Sequence, residues 1–170
     1  MDREHVEQPD HVDQMVQAWA RVDPQLDVTP LEVAGRLLLC SAYLERAIDV
    51  AVRPLGLSFG DFDVINTLRR RAEPAGTNPR ALAASALITS GAMTARLDRL
   101  ERAGLLERHP DPSDRRAILV RLTPEGEDRA ARALEAVIAA DRRFLDPLRP
   151  DDHEAIAAAL KRLLIRAEPG

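Results

Sequence analysis

From Thr89 to Thr123 the chain reads TSGAMTARLDRLERAGLLERHPDPSDRRAILVRLT. The first half carries one apolar stripe. Met93, Leu97 and Leu100 recur at i, i+4 and i+7, the spacing that buries one face of a helix. Thr89 suits an N-cap, and Gly104 suits the stop, because glycine accepts the left-handed turn after a helix. In the second half, Leu105-Leu106-Glu107-Arg108 and Ala117-Ile118-Leu119-Val120-Arg121-Leu122 read as two strands. The polar, proline-broken run from His109 to Asp114 reads as the loop between them.

Upstream, Asn78-Pro79 opens a short helix through Ala84, with a cap residue followed by proline at the first helical position. Ser85 to Ile88 is the turn. Short helix, turn, capped helix and hairpin together predict a winged helix-turn-helix, an arrangement that lays its second helix in the major groove of duplex DNA. The expected fold class is mainly α with a small β-hairpin wing, the winged lobe resting on a helical base.

Stepping about 100° per residue from the buried stripe places Gly91, Ala95, Asp98 and Arg102 on the far side. Ser90 and Thr94 flank one edge and Arg99 the other. A helix entering N-terminus first brings Ser90, Gly91, Thr94 and Ala95 to the base edges. The small residues permit close approach, and a Thr methyl can meet a thymine methyl. Arg99 is a phosphate or base candidate. At the wing tip, Arg115 and Arg116 suit the narrow minor groove, where negative potential concentrates, and Asp114 is placed to brace Arg116 by an ion pair. Arg96 lies only about 60° from the core direction. It points partly inward, toward Asp63 or a bound anion, because a buried guanidinium needs partners.

The chain has 170 residues, 45% of them hydrophobic and 3% aromatic, so its core is built from Leu, Ala, Val and Ile. Its net charge of −4 argues against bulk electrostatic attraction to nucleic acid, but charge distribution matters more. Residues 96–121 hold seven arginines against five carboxylates. Lys161 is the single lysine; Arg forks suit bidentate contacts to phosphate, guanine or small carboxylates. The four histidines show no metal-ligand spacing, so neither a metal nor a cofactor is expected. No nucleophile–base pair suggests an enzyme. With no signal-peptide pattern and no apolar run near the ~20 residues of a membrane span, a cytoplasmic protein without a membrane partner is expected.

The remaining segments read as helices. Asp10 to about Val22 carries Val12, Met15, Val16 and Trp19 on one side, and Trp19 is a core or docking anchor on this pattern. Thr29-Pro30-Leu31-Glu32 is a capping box opening a helix to about Arg53. That helix is apolar on more than one stripe, as in a bundle or subunit interface. Cys40 inside it reads as a small core residue, with an oxidant-sensing thiol as the alternative. Ser58 and Asp61 form a cap pair for a helix to Arg71. Asp63, between Phe62 and Val64, is either on an exposed face or a carboxylate with a specific task. Thr123-Pro124-Glu125 opens a long helix to about Leu145, and Asp151 with Glu154 caps the last one. Such terminal helices are too apolar to stand alone and are expected to bury one another across a two-fold axis.

From about Leu31 to Leu164 the chain resembles the MarR family of transcriptional regulators. The carrying residues are Asp114-Arg115-Arg116, Leu122-Thr123-Pro124-Glu125-Gly126, and Arg99 through Arg108. The resemblance implies a homodimer binding a pseudo-palindrome in double-stranded DNA, usually to repress, and released by a small ligand. It implies an N-terminal extension at 1–28, dimerisation helices at 29–55 and 124–170, and a DNA-binding lobe at 56–123. The chain is more similar still to the PecS-like, urate-responsive branch. Trp19, Asp63, Arg96 and Arg108 match that branch's ligand positions, which implies a small anionic effector, urate or another organic acid or phenolic compound. Arg96 and Arg108 would supply charge and forked donors, Trp19 an apolar wall, and Asp63 an acceptor. Ligand entry would then disturb an Asp63–Arg96 contact and shift the recognition helix.

Overall fold

The structure, a computed structural model, describes residues 8–86, 93–114 and 116–168. The predicted cap Thr89 and the predicted contact residues Ser90, Gly91 and Arg115 lie outside them. Among the described residues, seven helices and one hairpin run in the order α1 (His11–Val22), α2 (Thr29–Val52), α3 (Phe59–Arg71), α4 (Pro79–Ser85), α5 (Met93–Arg102), β1 (Leu106–Pro110), β2 (Ile118–Leu122), α6 (Pro124–Leu145) and α7 (Pro150–Ala167), with a 3₁₀ turn at Arg53–Leu55. The chain forms two compact units, residues 1–46 and 47–170, whose boundary falls inside α2.

In the first unit, α1 begins on a capping box of Asp10 and Asp13. Val12 is buried there, close enough to α2 that a Cβ on Gly35 would stand 3.1 Å from its Cγ2. Arg36 ties the two helices, reaching Asp10 at 2.8 Å and Asp13 at 2.6 Å. The predicted Thr29–Glu32 capping box gives way to Asp27. Its carboxylate accepts from the Thr29 N–H at 3.0 Å, and hydrogen bonds from the Thr29 hydroxyl and N–H hold it below its ordinary pKa. Cys40 is exposed on α2 rather than in a core. Leu31, Val33, Leu37, Leu38 and Tyr43 are exposed along the same helix, so its second apolar stripe is uncovered in a single chain.

In the second unit α3 is the hub. It packs on α6, α5, β2 and α4, and buries Gly60 through Ile65 together with Thr67 and Leu68. Its start is the predicted Ser58–Asp61 capping box. Asn78 caps α4, with Pro79 at the first position. Met93, Leu97 and Leu100 are all buried, as their spacing requires. In the antiparallel hairpin Leu106 pairs with Leu122 and Pro110 with Ile118. Thr77, just before α4, adds a bridge to Val120: its N–H donates to the Val120 carbonyl at 2.8 Å, and the reverse bond is 2.9 Å.

Thr123 caps α6. At α7 the predicted Asp151–Glu154 box is displaced by two residues. Arg149 is the N-cap and Asp152 accepts from its N–H at 3.1 Å and its Nε at 3.0 Å. No residue of α7 is buried. Ile156, Leu163, Leu164 and Ile165 face outward. No helix among the described residues is long and apolar enough to cross a membrane.

Near the α6–α7 junction lies a recess of about 390 Å³, lined by Ile138, Asp141, Arg142, Leu145, Asp146, Leu148 and His153. Asp141 Oδ1 is buried there without a hydrogen-bond partner among the described residues, and burial raises its pKa above the ordinary 3.8. A carboxyl whose folded pKa is raised gives stability that is complete below its unfolded pKa and lost as pH rises through the folded value. Asp141→Asn, which stays neutral, is therefore expected to raise the thermal midpoint at pH 7. The gain should shrink as pH falls toward 3.8, and a variant with an unchanged or lower midpoint at pH 7 would contradict this reading.

Candidate nucleic-acid interface

The exposed side of α5 follows from its buried stripe. Thr94, Ala95, Arg99 and Arg102 are exposed and Asp98 is half-buried. Thr94 and Ala95 stand in the N-terminal half of the helix with no long side chain of their own, so a surface approaching there meets a methyl, a hydroxyl and backbone. The wing loop carries exposed Asp114 and Arg116. Asp114 braces the tip differently from the expected ion pair: its Oδ1 accepts from the Arg116 main-chain N–H at 2.9 Å. This bond ties the Asp114 carboxylate to the main chain of Arg116 rather than to its guanidinium.

Arg99 is engaged within the fold. Its Nε donates to Asp61 Oδ1 at 3.1 Å and its Nη2 bonds the same oxygen. The Nη2 is also 3.4 Å from Ser58 Oγ. The tie to Asp61 was not part of the sequence reading of Arg99 as a phosphate or base candidate; its signal was the cap pair at 58 and 61, because a buried carboxylate needs a cation or hydrogen-bond donors beside it.

Of the four predicted ligand residues, Trp19 belongs to the first unit, on α1, and is 43% exposed. Asp63 is 2% exposed on α3, which removes the exposed-face alternative. Arg96 turns inward as its helical angle predicted. Its guanidinium lies so close over Gly60 that a Cβ there would stand 2.8 Å from both Cζ and Nη2. Gly60 and Asp63 are three residues apart and share one face of α3, so Arg96 is seated one turn from Asp63.

Arg108, on β1, lies on the other side of α5. Its Nη2 donates to Asp98 at 2.6 Å and its Nη1 to Glu101. Burial opposes its charge, but Asp98 and Glu101 outweigh that and raise its pKa. About 100° per residue puts positions 98 and 101 roughly 200° and 140° around the helix from 96. Arg96 therefore leaves α5 on one flank, toward α3, and Arg108 grips the other flank. Both prongs of the Arg108 fork are occupied by carboxylates.

The sequence pattern of the MarR family matches residues 55–117, which run from the 3₁₀ turn before α3 to the wing. The chain is 36% identical over 152 residues to the HTH-type transcriptional regulator PecS of Dickeya dadantii, spanning 89% of this chain and 92% of that protein. It is 33% identical over 122 residues to an HTH-type transcriptional repressor, Rv2887, of Mycobacterium tuberculosis, spanning 72% of this chain and 86% of that one. Among solved structures, a putative MarR-like transcription regulator from Bacillus cereus has the same fold, with a TM-score of 0.74 at 18% identity over 84% of this chain and all of that one. A mutant MarR from Escherichia coli complexed with operator DNA superposes with a TM-score of 0.69 at 26% identity, covering 86% of this chain and 97% of that one. With the family pattern running from the turn before α3 to the wing, and the chain aligned over nine-tenths of a PecS protein, this chain is a member of the MarR family, a family of transcriptional regulators rather than of enzymes.

Proposed function

We propose that this regulator is a cytoplasmic repressor that binds a pseudo-palindromic duplex site as a homodimer and leaves it when a small anion of the urate type binds. The observation carrying the DNA reading is the face of α5, where Thr94, at the edge, and Ala95, on the far side, are exposed while Met93, Leu97 and Leu100 are buried. Ser90, Gly91, Arg115 and Arg116 complete the proposed contact set, with the two arginines in the minor groove. The operator-bound relative with the same fold supports it. The homodimer rests on the uncovered apolar residues of α2 and α7, since exposed faces of that extent mark association surfaces. The proposed dimerisation helices are 29–55 and 124–170, with 1–28 as an added helix.

The effector reading rests on a buried carboxylate, Asp63, one helical turn from the seat of Arg96. An anion drawn to Arg96 competes with that seat. Because Arg96 is on α5, its displacement tilts the helix, and two such helices must stay about 34 Å apart to match successive major grooves. Trp19 and Arg108 are the proposed further ligand residues.

The test is binding of the purified protein to DNA from upstream of its own gene, titrated with urate and separately with citrate. Release of the wild-type protein by urate is the expected result, and an Arg96→Ala protein, whose seat is empty from the start, should bind the fragment more weakly and gain little further release from urate. An Arg115→Ala/Arg116→Ala protein should bind the same fragment at least tenfold more weakly, as two lost charge-assisted contacts imply. Release by citrate alone would replace urate with an organic acid. A wild-type protein indifferent to both would remove the effector reading, and one that ignores the fragment and all competing duplexes would remove the DNA reading.

A further inference from the structure

The apolar stripe of α5 sets which face meets the lobe, but it fixes the rotation only to within the width of the stripe, because hydrophobic contact is non-directional. Directional ties fix it more closely, and they stand on both flanks of the stripe. Taking Met93, Leu97 and Leu100 as the centre, residues 98 and 101 fall about 140° and 80° to one side and residue 99 about 120° to the other. Asp98 and Glu101 hold Arg108 of the wing strand. Arg99 holds Asp61 at the start of α3.

Asp61 is unusually well fixed. Its Oδ2 accepts from the Ser58 N–H at 3.0 Å and the Ser58 hydroxyl at 2.6 Å, closing the cap of α3. Its Oδ1 is left for Arg99, and its side chain is 5% exposed. Two of the three guanidinium nitrogens of Arg99 are thereby committed, across 38 residues of sequence, to a carboxylate that cannot move without uncapping the hub helix.

We infer that Arg99 is a positioning residue for DNA recognition: it sets the rotation of α5 on α3 through Asp61 and does not itself contact DNA. This rests on the reading of α5 as the recognition helix. The two roles differ in sign at Asp61. If Arg99 contacts phosphate, neutralising Asp61 removes a competing anion and leaves binding unchanged or tighter. If Arg99 acts through Asp61, neutralising Asp61 weakens binding although it removes negative charge near the DNA.

The experiment is a double-mutant cycle in operator affinity with Arg99→Gln, Asp61→Asn and the pair, each measured over a range of salt concentrations. Each single variant is expected to bind about tenfold more weakly, the scale of one lost charge-assisted hydrogen bond. The pair should be no weaker than Arg99→Gln alone. The slope of log affinity against log salt should match wild type, since no phosphate contact is lost. A slope reduced by about 0.9 in Arg99→Gln, the value of one phosphate contact, with Asp61→Asn binding as well as wild type, overturns the inference. So does wild-type affinity in both single variants. If uncapping unfolds Asp61→Asn, the salt slope of Arg99→Gln alone decides between the roles. A wild-type protein without operator affinity would instead defeat the DNA-binding proposal.

Discussion

Gly126→Ala is expected to destabilise the lobe by about 3 kcal/mol, the upper part of the range for forcing an extra methyl into a packed site. The position is in the first turn of α6, and propensity alone would favour alanine by about 1 kcal/mol, so a loss would be opposite in sign to the helix-forming tendency. A Cβ there would stand 2.9 Å from the Leu105 carbonyl carbon and 3.3 Å from its Cα, with the carbonyl oxygen nearer still. Main chain cannot rotate away as a side-chain end can. The same few atoms also join three elements. The Leu105 carbonyl accepts from the Thr123 N–H at 3.1 Å. Thr123 Oγ1 donates to the Gly104 carbonyl at 2.7 Å and accepts from the Gly126 N–H at 3.0 Å. Gly104 itself has a φ of 72°, so the exit of α5, the entry to the wing and the start of α6 share one knot. Urea denaturation of the two proteins measures the difference; a change under about 0.5 kcal/mol, ordinary for a surface substitution, would mean the backbones separate at little cost.

Gly60→Ala is expected to do the reverse: little to stability and much to DNA binding. The atoms a Cβ would meet are Cζ and Nη2 of Arg96, the end of a flexible side chain. The guanidinium can swing out, and alanine inside a helix gains about 0.5–1 kcal/mol over glycine. The thermal midpoint should therefore hold or rise slightly. Arg96, however, loses its seat beside α3, which is what the proposed effector would cause. Operator affinity without effector should fall at least tenfold, since about 1.4 kcal/mol separates each decade and one charged contact is worth that much or more. Urate should add little further release. A Gly60→Ala protein that binds its operator and responds to urate as wild type does would remove Arg96 from the switch. Gly60→Ala and Gly126→Ala thus place the same methyl at the starts of α3 and α6, and what it strikes decides the outcome.

The effector positions fared unevenly as sequence signals. Arg96 was legible as inward-facing because its angle from the buried stripe is a property of one helix. Asp63 was not, because α3 is covered by α6, α5, β2 and α4, and a helix packed on several sides has no polar face to read. The neighbours of Arg108 were not legible either: Asp98 and Glu101 of α5 meet its fork. A resemblance at a position carries no information about which neighbouring carboxylates already occupy it.

What the sequence alone determined is what lies within a turn or two of chain. It marked the caps at Ser58–Asp61, Asn78–Pro79 and Thr123–Pro124, the buried stripe of α5, the two wing strands to within a few residues, and hence a winged lobe among helices. Even there it erred where several acceptors compete within one turn, as at Asp27 against Thr29 and at Asp152 against Asp151 and Glu154. The tertiary structure alone decided the seat of Arg96 on Gly60, the tie of Arg99 to Asp61, the bridge of Thr77 to Val120 and the contact of Gly126 with Leu105. Caps and stripes are fixed by helical geometry over three or four residues. These other contacts join elements 21 to 43 residues apart in sequence, and they exist only once packing has set each element's rotation against its neighbour.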